Sequence, residues 1–541
     1  MSKAFARWPA RLILASALVA TFLSSRPGPA TAGSAALNLV LVLDGLRPDS
    51  ITAEDTPNLW RLRQEGVNFV NSHAVFPTVT RANATAIGTG TYPDRNGMFG
   101  NQIYVRAVNP AHAFGNDEHE NLLRLDAVTG GGMVQVKSLG ELLAGHQKTL
   151  AVVSSGSTGS ALLANPRAPK GVGILVNAYW EPGKRVAFPD TVNQAILQRF
   201  PPAPQKGGAR DNYDAAVAWT QRLLRDYVLP ELKPDVVINW LTEPDHIQHG
   251  IGAGSPEAKA SIRNDDQEIG LLLGRLQELG LAGRTNIVVV SDHGFGHAVF
   301  GVDLTGELIK AGLKQGPDSD DVVIASSGQT ALLHVRDHDA ERIGAIVRFL
   351  QRQNFAGVLF TAGRPGASGT PIEGREPGTF SLELIHMAQA ERGPDIVLTF
   401  PWSSARNPFG VPGQDTQIAG ATGPLSGTSG NHGSMSPWTI RNTFLAWGPD
   451  FKRGVTVRTP VSNVDLAPTL VRLMNLDKQI APDGFDGRPL SEAFAEGPDE
   501  EQVPVDVRTH FVETADGSYR TAIEVTELGG RRYIDKSWRI R

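Results

Sequence analysis

Leu39-Val40-Leu41-Val42-Leu43-Asp44 is an unbroken apolar run that stops on an acid. A strand with no polar face must be covered on both sides, which is the situation of a central strand in a parallel sheet. The pattern returns at Leu150 to Val153 before Ser154, at Val236 to Leu241 before Glu243, and at Ile287 to Val290 before Ser291-Asp292. Helical patterns lie between these runs. Thr56-Pro57 offers a cap and first turn ahead of Leu59 and Leu62, with a stop at Gly66, while Ile269, Leu272, Leu273, Leu276 and Leu279 recur at helical spacing until Gly280. This alternation predicts an α/β/α sandwich with a mostly parallel central sheet. Ligand sites of such sheets lie beyond the carboxyl ends of the strands, the edge to which this reading brings Asp44, Asp245 and Asp292.

Outward from that sheet, residues 33–500 read as one large core with inserted cap elements at about 300–385 and 403–437. Between Ser327 and Phe360 an apolar, a helical and a second apolar run suggest a βαβ insertion. Gly363 to Phe380 and Ser403 to Pro437 are dense in Gly, Pro, Ser and Thr, the composition of long loops that cover or shape a site. Residues 501–541 read as a closing β-meander turning at Asp516-Gly517 and Gly529-Gly530.

Residues 1–32 set the expected compartment. Lys3, Arg7 and Arg11 precede the apolar run Leu12 to Leu23, and Ala30-Thr31-Ala32 offers small residues for cleavage, the layout of a signal peptide. The run is too short to span a bilayer and no later segment has about twenty uninterrupted apolar residues, so no stable membrane anchor is expected. The protein is therefore expected in the periplasm or outside the cell. Cleavage would remove Lys3, Arg7, Arg11 and Arg26 and no acid, taking the formal charge from −5 to −9. An acidic chain without Lys/Arg runs is a poor ligand for polymeric nucleic acid, whose affinity comes from neutralising phosphates. There is no cysteine, so a transition metal has to be held by His, Asp, Glu or hydroxyl groups. Nothing in the sequence sets an oligomeric state.

Two strand ends carry metal-type ligands: Asp245-His-Ile-Gln-His249, with an acid and a histidine four apart, and Asp292-His293-Gly294. Two divalent ions about 4 Å apart can hold the attacking and leaving oxygens of an in-line displacement, and need three or four N/O ligands each. Each motif also has a plain reading. Asp-x-x-x-His occurs on solvated helical faces, and a strand-ending Asp-His can cap the next helix.

Leu41-Val-Leu-Asp44-Gly-Leu-Arg-Pro-Asp-Ser, Thr56-Pro-Asn-Leu-Trp-Arg-Leu, Phe76-Pro-Thr-Val-Thr80 and Thr89-Gly-Thr-Tyr-Pro-Asp-Arg-Asn-Gly97 resemble the nucleotide pyrophosphatase/phosphodiesterase branch of the alkaline phosphatase superfamily. The later motifs Asp245-x-x-x-His249, Ser291-Asp292-His293-Gly294, Asn431-His432-Gly433 and Val464-Asp465-Leu-Ala-Pro-Thr469 follow in that family's order, so that the likeness spans roughly residues 37–490. The resemblance implies an alkaline phosphatase-like fold and a two-zinc hydrolase of small phosphate esters acting through a covalent phosphothreonine at Thr80. It further implies that Asp44, Asp292, His293 and the Thr80 oxygen hold one zinc, that Asp245, His249 and His432 hold the other, and that Asn101 donates to a phosphate oxygen. A threonine hydroxyl is protonated at neutral pH and needs a cation beside it to act as a nucleophile, so the implied roles are physically coherent. Thr80 could otherwise cap the helix that follows, Asn101 could be a turn residue and His432 an ordinary loop histidine. His246 and His297 lie beside ligand motifs and could orient ligands or touch substrate; the remaining histidines read as structural or exposed.

The sequence also departs from that branch. An aromatic residue commonly follows the nucleophile there, whereas Arg81 stands here, suited to a phosphate or carboxylate. Threonine-nucleophile monoesterases of the superfamily typically carry a Lys-x-Arg pair where this chain reads Ser154-Ser-Gly-Ser-Thr-Gly-Ser160. The missing cations favour a diester, with a phosphomonoesterase and a phosphonoacetate hydrolase as alternatives. A catalytically inactive metal-binding protein is the reading outside enzymology. Sulfatases are disfavoured because they need a cysteine or serine at the nucleophile position.

Overall fold

A computed structural model describes residues 35–364, 369–421, 425–480 and 484–540. The segment assigned to export lies outside them. The core is a nine-stranded sheet of β1 (Leu37–Leu43), β2 (Val67–Phe69), β3 (Leu150–Ser154), β4 (Ile174–Glu181), β5 (Arg185–Phe188), β6 (Val236–Leu241), β7 (Thr285–Val290), β8 (Phe444–Trp447) and β9 (Val455–Val457). Its strand order is β9-β2-β8-β7-β1-β6-β3-β4-β5. β7, β1, β6, β3 and β4 run parallel, while β8 and β5 run against their neighbours.

β1 shows why the apolar runs form the centre. Every residue of β1, β6 and β7 is buried. Val40, Val42, Ile238, Trp240, Val288 and Val290 pack on one face with Ala84 and Ile87 of helix Thr80–Thr89 and with Leu466 and Leu470 of helix Leu466–Leu473. Leu39, Leu41, Leu43, Val237, Ile287 and Val289 pack on the other with Leu59 and Leu62 of helix Pro57–Glu65 and with Ile262, Ile269 and Leu276 of helix Pro256–Glu278. The result is the expected sandwich. One detail differs: Thr56 precedes the first helix, but its hydroxyl donates to Thr52 O at 2.9 Å instead of capping. Asp266 of the long helix accepts the Asn58 and Leu59 amides at 3.1 and 2.8 Å, so this helix end is satisfied from a neighbouring element.

The segment after Ser327 forms strand Thr330–Val335, helix Ala340–Gln351 and strand Leu359–Thr361. Both strands pair antiparallel with Ile396–Thr399, which lies between them in a five-stranded sheet, so the βαβ unit is split. The Ser403–Pro437 stretch carries strands as well as loop: Trp402–Arg406, Pro412–Ile418 and Gly430–Asn431 join Gly296–Val302 in a four-stranded sheet. Pro412–Ile418 turns Gly413, Asp415 and Gln417 inward, so its alternation is not one of hydrophobicity and is invisible to an apolar-pattern reading. The C-terminal strands Asp506–Glu513, Arg520–Leu528 and Arg531–Ile540 form an antiparallel meander. It is tied to the core by His73 Nε2 to Asp535 at 3.0 Å and by the Tyr533 hydroxyl donating to Asp465 at 3.2 Å. Among the described residues no helix is long and apolar enough to cross a membrane.

Candidate metal centre and active site

Parallel register aligns the carboxyl ends of β7, β1 and β6: Val42 pairs with Val290 and Leu43 with Leu241. Asp44 follows β1 directly, Asp292-His293 follow β7, and Asp245 opens the short helix Asp245–Gly250, which places His249 one turn on. Thr80 is the first residue of helix Thr80–Thr89, and His432 follows strand Gly430–Asn431. All seven residues meet. His293 Nε2 lies 3.2 Å from Asp292 Oδ2, 3.5 Å from Asp44 Oδ1, 3.9 Å from Asp245 Oδ1 and 3.3 Å from Thr80 Oγ1. His432 Nε2 lies 3.2 Å from His249 Nε2 and 3.5 Å from Asp245 Oδ1, and His249 Nε2 lies 3.4 Å from Asp245 Oδ2.

Backbone carbonyls orient the three imidazoles. Nδ1 of His293, His249 and His432 meets Gly294 O at 2.9 Å, Gly430 O at 3.0 Å and Thr78 O at 2.9 Å. With the proton on Nδ1, each ring turns an Nε2 lone pair toward the cluster, the arrangement of metal-binding histidines. Asp44 Oδ1, Asp245 Oδ1 and Asp292 Oδ2 are buried without a hydrogen-bond partner among the described residues. Buried carboxylates so placed need compensating positive charge. Burial, with Asp292 and Asp245 adding like charge, pushes Asp44 well up. Burial opposes protonation of His293, but Asp292 and Asp245 outweigh it and raise the ring. Burial and the neighbouring His293 push His432 well down. The donor set of carboxylates, imidazoles and a hydroxyl, with no thiolate, fits divalent ions of the zinc class. At this cluster two ligand groups are compact enough to hold an ion, Asp44 with Asp292 and His293, and Asp245 with His293 and His432, so His293 lies within reach of both.

Two glycines make the approach possible. Gly45 has φ +66° and donates its amide to Asp292 Oδ1 at 3.1 Å, and a Cβ there would stand 3.1 Å from that of Asp245. Gly433 has φ +110°, and a Cβ would lie 2.2 Å from Ser327 O. Asn101 Oδ1 accepts the Arg81 amide at 3.1 Å, which leaves the Asn101 Nδ2 group without a partner among the described residues. Thr80, Arg81, Asp117, Asp245 and His249 line two adjoining cavities, of about 480 and 270 Å³. Asn101, Gln102, Ile418 and Asn431 wall the larger; Tyr179, Lys206, Tyr213 and His246 wall the smaller.

Several contributors are not named by the motifs. The Trp240 indole donates to Asp44 Oδ2 at 2.9 Å, and Asn463 Nδ2 donates to Asp292 O at 2.9 Å. A buried indole N–H nearly always has a partner, so Trp240 as the penultimate residue of an apolar strand was the available signal. Glu243 accepts the Tyr213 and Ile247 amides at 2.7 and 3.1 Å under the Asp245 helix, and burial pushes its carboxyl up to about 8. His246 stacks on Tyr213 with ring centroids 4.0 Å apart and lines the smaller cavity. His297 bonds Ser429 O and is buried in the four-stranded sheet. Asp465 is buried scaffold: it accepts the Ser462 and Arg488 amides, both at 2.8 Å. Ser157 caps helix Thr158–Ala164 by accepting the Ser160 amide.

The sheet order and the cluster at its carboxyl edge define an alkaline phosphatase-like α/β fold. The type I phosphodiesterase / nucleotide pyrophosphatase family model matches residues 38–356, more than half of the chain, and the protein belongs to that family. His432 lies beyond the matched residues. The chain is 23% identical over 458 residues to ectonucleotide pyrophosphatase/phosphodiesterase family member 1 of Homo sapiens, covering 81% of this chain and 40% of that protein. It is 25% identical over 262 residues to venom phosphodiesterase CdcPDE of Crotalus durissus collilineatus, covering 47% of this chain and 26% of the relative. To family member 3 of Bos taurus it is 24% identical over 262 residues, covering 47% and 24%. The chain thus spans between about a quarter and two fifths of these relatives.

Proposed function

We propose that this protein hydrolyses small phosphodiesters, with Thr80 as nucleophile, Asp44, Asp292, His293 and Thr80 holding one zinc ion, and Asp245, His249 and His432 holding a second. The observation that carries this reading is the Thr80 hydroxyl 3.3 Å from His293 Nε2, beside three buried carboxylate oxygens that lack partners among the described residues. When bound, two such ions would lower the pKa of the Thr80 hydroxyl and offset the charge on the attacking and leaving oxygens. Thr80 Oγ attacks phosphorus, the bond to the departing alcohol breaks, and water then cleaves the phosphothreonine and returns the hydroxyl. Asn101, anchored through its carbonyl, offers its amide hydrogens to a nonbridging oxygen, where a donor acts as charge develops. The substrate is read as small, since the net charge of −5 gives no basic track for a polymer. Export to the periplasm or the medium is inferred from residues 1–32.

Diester is preferred over monoester because residues 154–160 carry no cation, and Ser157 and Ser160 there are engaged with one another. An extra negative charge left uncompensated in a partly desolvated site costs on the order of a few kcal/mol. The monoesterase reading keeps one observation in its favour, the Arg81 guanidinium, which has no partner among the described residues. The test is kcat/KM of the zinc-loaded protein for bis-p-nitrophenyl phosphate against p-nitrophenyl phosphate. The diester is expected to be the better substrate; a higher value for the monoester overturns the assignment.

A further inference from the structure

Arg81 is the residue next to the nucleophile, and its guanidinium makes no hydrogen bond and no ion pair among the described residues; only its backbone is engaged, the amide with Asn101 Oδ1 and the carbonyl with the Thr85 hydroxyl. The side chain is partly buried, and its Nε is enclosed without a partner. A guanidinium nitrogen enclosed without a partner costs desolvation that a protein normally recovers by pairing the group with a carboxylate or phosphate. Arg81 borders both cavities that open at Thr80. The other cation of the smaller cavity, Lys206, is already engaged: it pairs with Glu118 at 2.8 Å and lies 5.6 Å over the Tyr179 ring. Among the described residues, the free positive charge at the reaction centre is therefore that of Arg81.

Two cavities of about 480 and 270 Å³ are far more than a phosphoryl group fills, and a monoester has an organic group for one of them. In an in-line displacement the leaving oxygen departs opposite the attacking one. A side chain on the attack side, adjacent to Thr80, meets the group that stays on phosphorus. We infer that Arg81 selects diesters whose retained arm carries a second anionic group, a carboxylate or a phosphate, within a few atoms of the scissile phosphorus. This inference rests on the diesterase reading above and specifies its substrate class.

The experiment uses the zinc-loaded full chain and three p-nitrophenyl diesters with a common leaving group and different retained arms: methyl, carboxymethyl and 2-phosphoethyl. A charge-assisted bidentate contact predicts kcat/KM about tenfold or more higher for an acidic arm than for methyl. Arg81→Ala should bring that ratio close to one, and Arg81→Lys should keep part of it. Whichever acidic arm gives the larger ratio identifies the anion. In the Thr80→Ala background the same preference should appear as tighter binding by calorimetry, a readout free of turnover. A ratio near one in the wild type, with the methyl diester turned over, overturns the inference and leaves the diesterase reading standing. A ratio that survives Arg81→Ala assigns the recognition elsewhere and also overturns it. A wild type that prefers p-nitrophenyl phosphate to all three diesters, and loses that preference in Arg81→Ala, makes Arg81 the cation of a monoesterase and removes both readings.

Discussion

His249 Nε2 and His432 Nε2 stand 3.2 Å apart, on rings whose Nδ1 atoms are already held by Gly430 O and Thr78 O. Two lone pairs facing one another at that distance repel unless a proton or a cation lies between them. Their only shared anionic neighbour within 3.5 Å among the described residues is Asp245. The pair is built for a positive charge that neither imidazole supplies in its neutral form.

Metal removal should therefore destabilise the fold as well as stop turnover. Elemental analysis is expected to count two zinc ions per chain, and dipicolinate to lower the melting temperature, with zinc restoring it. Ligand linkage at a hundredfold excess over Kd is worth about 3 kcal/mol. A melting temperature indifferent to chelator and zinc would count against the cluster as a metal centre.

Thr80→Ala should lower kcat by at least about a thousandfold, because the attacking oxygen is gone. The six other proposed ligands remain, so zinc content should stay largely intact. Full turnover in a metal-replete variant would sink the nucleophile assignment.

Asn101→Ala removes the amide group beside Thr80 and should cost roughly a hundredfold to a thousandfold in kcat. Thermal stability should change little, since the substitution deletes a single hydrogen bond, the one that the Arg81 amide donates to Asn101 Oδ1. Steady-state kinetics and a thermal melt decide between a donor to the reacting phosphate and a turn residue.

Trp240→Phe keeps most of the buried ring but deletes the indole N–H that holds Asp44 Oδ2 at 2.9 Å. Zinc affinity measured by chelator competition should weaken about tenfold. Unchanged affinity would mean that Asp44 is positioned by its strand alone.

His334 offers a pH prediction away from the site. Burial holds its imidazole from an ordinary 6.5 down to about 3, so the folded protein keeps the ring neutral. A depressed histidine contributes its stability fully above the unfolded pKa and loses it as pH falls toward the folded one. The window is thus about 6.5 down to 3, and the loss at pH 5 is about 2 kcal/mol. Urea unfolding at pH 7 and pH 5, on wild type and His334→Phe, should show a shallower acid decline in the variant; equal declines would assign the pH dependence to other groups.

Much of the fold was legible in the chain because central parallel strands need covering on both faces. Leu39–Leu43, Val236–Leu241 and Ile287–Val290 are continuous apolar runs for that reason, and Asp44, Asp245 and Asp292 follow at the ends where such sheets bind ligands. The Pro412–Ile418 strand was not legible, because the residues it buries are Gly413, Asp415 and Gln417. Nor was the true cap of the first helix, since Asp266 lies more than two hundred residues from the amides it accepts.

The sequence by itself determined which residue types were present for the chemistry: three acids and two histidines at strand ends, a threonine in a family-like context, a distant His432 and no thiol. Local periodicity and spacing carry that information because strand ends and helical turns are short-range features. The tertiary structure alone decided that Trp240 holds Asp44, that three backbone carbonyls set the tautomers of the histidines, and that the Arg81 guanidinium reaches the cavities without a partner among the described residues. Those are relationships between segments far apart in the chain, set by β-sheet register and packing, which no local pattern encodes.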